Sequence, residues 1–268
     1  MPELVDTHAH LDMPDFDTYR DEVIARAIAA GVTRIITVGT DTRSSRQAVA
    51  LTERYHEVYA AVGVHPHDAA AFDASQILVL RELATHPRVV ALGEMGLDFY
   101  RNRSPHDVQY TVLRAQLDLA AEMKVPVIIH SRQATEETIA ELTAWSKRGH
   151  TPEYRPHGVI HCFSDGAQAA RQYVALGFYL SFPGFVSYPK SRAPEVARTV
   201  PLDRILVETD CPFLPSQAYR GKRNEPAYVA LTAGVLAGAL GMTLEAFARQ
   251  TTENAERLFG LEARSHRA

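Results

Sequence analysis

The sequence predicts an α/β protein in which parallel strands and helices alternate around a TIM-type (β/α)8 barrel. Eight short apolar runs lie between Leu4 and Val207, and segments of helical periodicity separate them. Near-continuous apolar runs are typical of strands that are buried on both faces of a parallel sheet. Eight repeats favour a closed barrel over an open doubly wound sheet. No Gly-x-Gly-x-x-Gly follows the first run, so the sequence does not indicate a dinucleotide site.

Each predicted strand ends where a polar loop interrupts its apolar residues. The strand candidates are, in order, Leu4–Val5, Ile35–Val38, Val58–Val64, Val89–Leu92, Val127–Ile129, Gly158–Ile160, Phe178–Leu180 and Ile205–Val207. Helical periodicity predicts helices over Tyr19–Ala30, Ser44–Tyr55, Ser75–Thr85, Gln109–Met123, Thr135–Trp145, Gly166–Leu176, Pro194–Thr199, Tyr228–Ala239 and Leu244–Phe259. Gly31 and Gly177 follow two of these helices, as glycines in left-handed C-terminal caps do.

Composition and charge restrict the class of protein and its partners. The 268 residues are 46% hydrophobic and 22% charged, which excludes a disordered chain. Because barrels of about 250 residues usually form one domain, we expect residues 1–268 to be a single domain. The 28 basic and 32 acidic residues give a net charge of −4, so a protein that coats duplex DNA with a basic face is not expected.

The sequence also indicates a cellular compartment. No apolar run reaches the length of about 18 residues that a membrane span requires, and the N-terminal residues lack the basic and apolar regions of a signal peptide. Cys162 and Cys211 match neither a thiolate metal motif nor a disulfide framework. We therefore expect a cytoplasmic protein with no membrane partner.

Residue types that bind metals follow the apolar part of five predicted strands. The candidate ligands are His8, His10, Glu94, His130, His161 and Asp210. The carboxyl ends of parallel strands meet on one face of a barrel, where active sites lie. His8 and His10 are two residues apart, so both imidazoles point to the same side of a strand. A single such residue is more often a buried, hydrogen-bonded or capping side chain, so the interpretation depends on the whole set.

The donor chemistry predicts two divalent ions rather than one. Imidazole and carboxylate without thiolate suit Zn, Mn, Fe, Co or Ni, and they suit Mg less well. Four histidines and two carboxylates are too many for one tetrahedral ion, but they can serve two ions about 3.5–4 Å apart with a bridging carboxylate. Glu94 is the candidate bridge. His65 follows the third strand and is open to three roles: outer ligand, substrate contact or structural histidine.

Basic residues in the loops on the same predicted face are candidate phosphate contacts, because Arg binds phosphate in a bidentate manner. Arg132 and Arg223 are the substrate-binding candidates. Arg101, Arg103 and His67 are more typical of solvated loop positions.

Taken together, the strand-end motifs resemble those of the TatD family of metal-dependent deoxyribonucleases. The motifs are Asp6–Asp12, Gly63–His67, Gly93–Tyr100, Gln116–Ala120, Ile129–Arg132, His161–Ser164, Glu208–Pro212, Arg220–Pro226 and Asn254–Phe259. The resemblance implies a TIM-type barrel and metal-dependent hydrolysis of phosphodiesters, with 3′→5′ exonuclease activity in relatives. The metal ligands of the family fall on the same six residues chosen above.

Glu94 and Asp210 are the expected catalytic residues, with Asp210 either a ligand only or also the base that accepts a proton from water. The expected substrate is single-stranded DNA or RNA, bound at its ends, and the expected cofactors are two ions of Zn, Mn or Mg. An ester or amide hydrolase, such as an aminoacyl-tRNA deacylase, is the alternative enzyme. A non-enzymatic metal-binding or nucleic-acid-binding protein is a third reading. The native metal and the oligomeric state stay open.

Overall fold

A computed structural model describes residues 2–148 and 158–261 of the chain. Within these ranges eight strands form one parallel sheet in sequential order. The strands are β1 Leu4–Ala9, β2 Val32–Val38, β3 Val58–Val62, β4 Val89–Asp98, β5 Val127–Arg132, β6 Gly158–Ile160, β7 Tyr179–Phe182 and β8 Ile205–Val207. A parallel bridge between Ala9 and Cys211 joins the two edges of the sheet. The predicted barrel is therefore confirmed.

Helices follow the strands around the outside of the barrel. They are α1 Arg20–Ala29, α2 Thr42–Arg54, α3 Ser75–Ala84, α4 His106–Met123, α5 Thr135–Ser146, α6 Ala167–Ala175, α7 Ala193–Ala197, α8 Val229–Ala239 and α9 Leu244–Phe259. Gly31 and Gly177 follow α1 and α6 closely and have φ angles of 89° and 93°. These left-handed conformations confirm the predicted caps, since glycine adopts them without a steric penalty.

The core has two apolar clusters. The larger one lies between strands and helices and includes Trp145 and Phe247. The smaller one takes side chains from all eight strands and adds Leu258 and Phe259 of α9, as expected for a filled barrel interior. Thr252 of α9 donates a hydrogen bond of 3.0 Å to the carbonyl of Glu3, just before β1. The helix therefore packs against the amino end of the barrel and leaves the carboxyl end for other residues.

Strand β4 is longer than the sequence predicts. The apolar run Val89–Leu92 was expected to end the strand before Glu94, but β4 continues to Asp98 and β5 continues to Arg132. Met95 to Asp98 pair with residues of β5 beyond Val127. The pairing between β4 and β5 therefore extends both strands past their apolar residues.

No single helix in residues 2–148 and 158–261 has both the length and the apolar composition of a membrane span. One pair, Pro226–Ala239 with Leu244–Phe259, has them only when its two helices are joined across a 112° bend.

Candidate active site

The six predicted ligands meet at the carboxyl end of the barrel. They follow or lie in five strands: His8 in β1 and His10 directly after it, Glu94 in β4, His130 in β5, His161 after β6 and Asp210 after β8. Most are buried, and Asp210 is 9% exposed. The same end holds a cavity of about 860 Å³ that five of the six line, all but the fully buried His8. The structure thus brings the whole set together around one opening.

A local irregularity in β4 positions Glu94. Two residues, Gly93 and Glu94, lie between Leu92 and Met95, but only one residue lies between their partners Val127 and Ile129 in β5. An extra residue of this kind re-aims a neighbouring side chain, and such shifts are frequent next to active sites. Gly93 has a φ of 143°, and a Cβ there would lie 2.6 Å from the Ile128 carbonyl oxygen. Glycine is therefore required where β4 passes β5 beside Glu94.

The first cluster of ligand atoms faces one oxygen of Glu94. Its Oε2 lies 3.4 Å from Nε2 of His8 and 3.9 Å from Nε2 of His10. Oδ1 of Asp210 is 3.4 Å from Nε2 of His10 and 3.9 Å from Nε2 of His8. His10 is oriented through its other nitrogen, because Nδ1 lies 2.9 Å from the carbonyl oxygen of Val38. Two imidazoles and two carboxylates therefore converge here.

The second cluster faces the other oxygen of Glu94. Its Oε1 lies 2.8 Å from Nε2 of His161, 2.9 Å from Nδ1 of His130 and 3.3 Å from Nε2 of His65. Of the three roles left open for His65, its place in this cluster favours a ligand or structural role. Glu94 thus lies between two groups of imidazoles, with one carboxylate oxygen toward each.

The buried histidines and carboxylates of the site shift one another's pKa values. Burial would raise the pKa of Glu94, but the charges and hydrogen bonds of the surrounding histidines, His161 first among them, together outweigh burial and hold that pKa well below its ordinary value. Burial would lower the pKa of His10, yet the hydrogen bond and charge of Asp210, together with the charge of Glu94, raise it to about 9. The pKa of Asp210 is lowered because its hydrogen bond with His10 and the charges of the neighbouring histidines together outweigh its burial. Both carboxylates are therefore ionised at neutral pH.

The donor set fits divalent ions. Ligand atoms of His8, His10 and Asp210 lie within 4.8 Å of one another, and those of His65, Glu94 and His130 form a second such group. Nitrogen and carboxylate donors without sulfur suit Zn, Mn and similar ions. The residues present could hold one ion on each side of Glu94.

Three residues around the ligands were missed by the sequence analysis. Oδ2 of Asp98 lies 3.1 Å from Nε2 of His130 and 2.9 Å from Nε2 of His67. His67 lines the cavity and binds this carboxylate, so its assignment to a solvated loop is wrong. Oε1 of Glu208 lies 3.4 Å from Nδ1 of His161. Even spacing was the available signal, since Asp98 lies four residues after Glu94 on one strand.

The predicted substrate contacts divide between the cavity and the surface. Arg132 lines the cavity, and so do Arg101 and Arg103, which the sequence analysis assigned to a solvated loop. Arg223 is not among the lining residues that the structure describes. Its guanidinium is 3.3 Å from the carboxylate of Asp15 and donates a hydrogen bond of 2.9 Å to the Asp15 carbonyl. Arg223 therefore ties two loops together in place of facing the cavity.

Comparison with known proteins identifies the family. The family model described as TatD related DNase matches residues 5–260. The chain belongs to the TatD family. It is 44% identical to the uncharacterized metal-dependent hydrolase YabD of Bacillus subtilis, over 96% of this chain and 98% of that protein. It is 37% identical to the 3′-5′ ssDNA/RNA exonuclease TatD of Erwinia billingiae, over 97% and 100% of the two chains.

A solved TatD family structure has the same architecture. The TatD homologue YJJV of Escherichia coli k12 matches with a TM-score of 0.89 and 30% identity, over 97% of this chain and 98% of that chain. The family model, the relatives and the solved structure agree, and this protein is therefore a metal-dependent hydrolase of the TatD family.

Proposed function

We propose that this TatD family hydrolase is a 3′–5′ exonuclease that acts on single-stranded nucleic acid with two divalent ions. The observation that carries the proposal is the position of Glu94, whose two oxygens face separate imidazole clusters 2.8 to 3.9 Å away. A carboxylate shared in this way is typical of two-metal hydrolases of phosphodiesters. The relative from Erwinia billingiae, named an ssDNA/RNA exonuclease, supports the same substrate class.

Each ion would have its own protein ligands. His8, His10 and Asp210 would hold one, His130 and His161 would hold the other, and Glu94 would bridge them. When bound, two such ions lower the pKa of water and neutralise charge that builds on phosphoryl oxygens.

The residues of the chain supply orientation and proton transfer. Asp98 fixes the ring of His130 so that Nδ1 faces Glu94 and Nε2 faces away, and such outer contacts set the orientation of ligating histidines. Asp210 is ionised at neutral pH because its hydrogen bond with His10 and the charges of the neighbouring histidines together lower its pKa. It can therefore accept the proton of the attacking water as well as bind an ion. Arg132, at the cavity wall, would hold a phosphate of the substrate.

The test is a digestion assay with a 5′-labelled single-stranded oligonucleotide and added Mn, Mg or Zn. We expect labelled products that shorten progressively from the 3′ end, loss of activity with chelator, and slower digestion of the same sequence as a blunt duplex. Asp210→Asn should abolish the reaction, while Glu141→Gln on α5, where Glu141 pairs with Arg114 outside the cavity, should leave it unchanged.

The alternative enzyme is tested in parallel with an aminoacyl-tRNA. Release of the amino acid with the RNA and the oligonucleotide left intact would replace the exonuclease proposal by an ester hydrolase. Activity on neither substrate with any of the three metals would contradict both.

A further inference from the structure

An exposed aromatic side chain lies on the cavity wall beside the first cluster of ligands. Phe213 is 48% exposed although it is a large hydrophobic residue, and it lines the cavity together with Met13 and Leu214. Its ring centroid lies 6.0 Å from that of His10, and the two rings meet edge to face. An apolar ring that is in contact with water therefore lies next to His10, a ligand of the candidate metal centre.

The backbone of Phe213 is held in place by buried hydrogen bonds. Asn224 is 1% exposed, and its Nδ2 donates to the carbonyl oxygens of Phe213 at 2.6 Å and Thr209 at 2.8 Å. The amide nitrogen of Phe213 donates to the carbonyl of Asp210 at 2.9 Å. The backbone that carries the ring is therefore pre-organised, which lowers the ordering cost of binding.

The arginine side chains that line the cavity lie mainly on one side of its opening. In a barrel of sequential strands, β4 and β5 lie across the opening from β8 and β1. The β4 and β5 side contributes Arg101, Arg103 and Arg132 to the cavity. On the β2 and β3 side, Asp41 and Asp68 accompany the single Arg43. Cations that can pair with successive phosphates of a nucleic-acid strand therefore lie across the opening from Phe213.

We propose that Phe213 is the stacking platform for the terminal nucleobase of the substrate, and that the rest of the strand leaves over the arginines of β4 and β5. The proposal rests on the exonuclease function proposed above and names the subsite that selects its substrate end. In a nucleotide, one sugar joins the base to its phosphate. A base stacked on Phe213 would therefore place its phosphate near the ligand His10, whose ring is in contact with that of Phe213. Aromatic rings accept any base because every base has a flat π face.

The experiment compares two single-stranded oligonucleotides that differ only at the 3′ end. One ends in an ordinary nucleotide, and the other ends in an abasic tetrahydrofuran nucleotide with the same phosphate. For the wild type, we expect kcat/KM to be about tenfold or more higher for the first, in line with the usual gain from stacking one base. Phe213→Ala should remove this preference and leave cleavage of the abasic end unchanged, and Phe213→Tyr should restore it.

Controls separate this subsite from structural effects. Leu78→Ala truncates an exposed residue of α3, 64% exposed and outside the cavity lining, and it should keep the wild-type preference. Metal content should be equal in all variants. If Phe213→Ala slows both substrates equally, or neither, the stacking assignment is wrong while the exonuclease function stands. If the wild type shortens neither oligonucleotide, the exonuclease proposal falls and the subsite falls with it.

Discussion

Replacement of Glu94 by Gln is the most direct test of the bridging role. Glutamine has nearly the same volume as glutamate, so the buried site at 3% exposure keeps its packing. It has no charge and only one carbonyl oxygen. Because the two oxygens of Glu94 face different clusters, one cluster must lose its oxygen ligand, and both lose the negative charge.

The structure sets the size of the effect. The imidazole nitrogens that face Glu94 lie 2.8 to 3.9 Å from its oxygens, so an ion that they bind interacts with the carboxylate at short range. At an effective dielectric constant of about 20, unit charges about 4 Å apart attract by about 4 kcal/mol. Loss of that attraction corresponds to about a thousandfold weaker binding of at least one ion.

The assay measures metal and turnover on the same preparations. Calorimetric titration with Mn or Zn should give two tight equivalents for the wild type and one for Glu94→Gln. Turnover of a single-stranded oligonucleotide at saturating metal should fall below about 1% of wild type, because a bridging site lacks its shared ligand. Glu141→Gln is the matched surface control. A Glu94→Gln protein with two tight equivalents and wild-type turnover would refute the bridging role.

Three further predictions concern the surroundings of the ligands. Asp98→Asn should weaken metal binding by about 10–100-fold with little change in melting temperature, because it loosens His130; equal affinity by calorimetry would contradict this. Arg132→Ala should raise KM for oligonucleotides about tenfold at unchanged metal content, whereas Arg223→Ala should leave KM unchanged, and steady-state kinetics of both variants decide. Metal binding at the first cluster should release a proton from His10, whose pKa is about 9, so affinity at that cluster should rise about tenfold per pH unit between about pH 6 and 8. Titration in buffers of different ionisation enthalpy counts that proton, and no release would refute the assignment.

Local sequence patterns were enough to predict the barrel and the six side chains that meet at its carboxyl end. Apolar runs mark buried strands, and each ligand of the predicted set follows or interrupts such a run, as His8 and His161 do. These features are local, since one strand and the residue after it carry both signals. The prediction that the six side chains meet at one end of the barrel also required the barrel topology.

Features that depend on contacts between distant segments could not be predicted in the same way. The carboxylate of Asp98 was missed because β4 continues only by pairing with β5, beyond its apolar run. Arg223 was assigned to phosphate binding because a basic loop follows β8, but its partner Asp15 lies in the loop after β1. The exposure of a charged residue and the identity of its partner are properties of the folded chain.

Closure of the barrel links the stability of the fold to the composition of the site. Asp6, fully buried in β1, accepts hydrogen bonds from the backbone nitrogen of Thr209 at 2.8 Å and from its hydroxyl at 2.5 Å. The amide nitrogen of Asp210 donates to the carbonyl of His8 at 2.8 Å. Each contact joins the first strand to the end of the last, and each involves a neighbour of a candidate ligand or the ligand itself. The first cluster of ligands therefore forms only when the two ends of the sheet meet, so a metal ion bound there must stabilise the closed barrel by linkage.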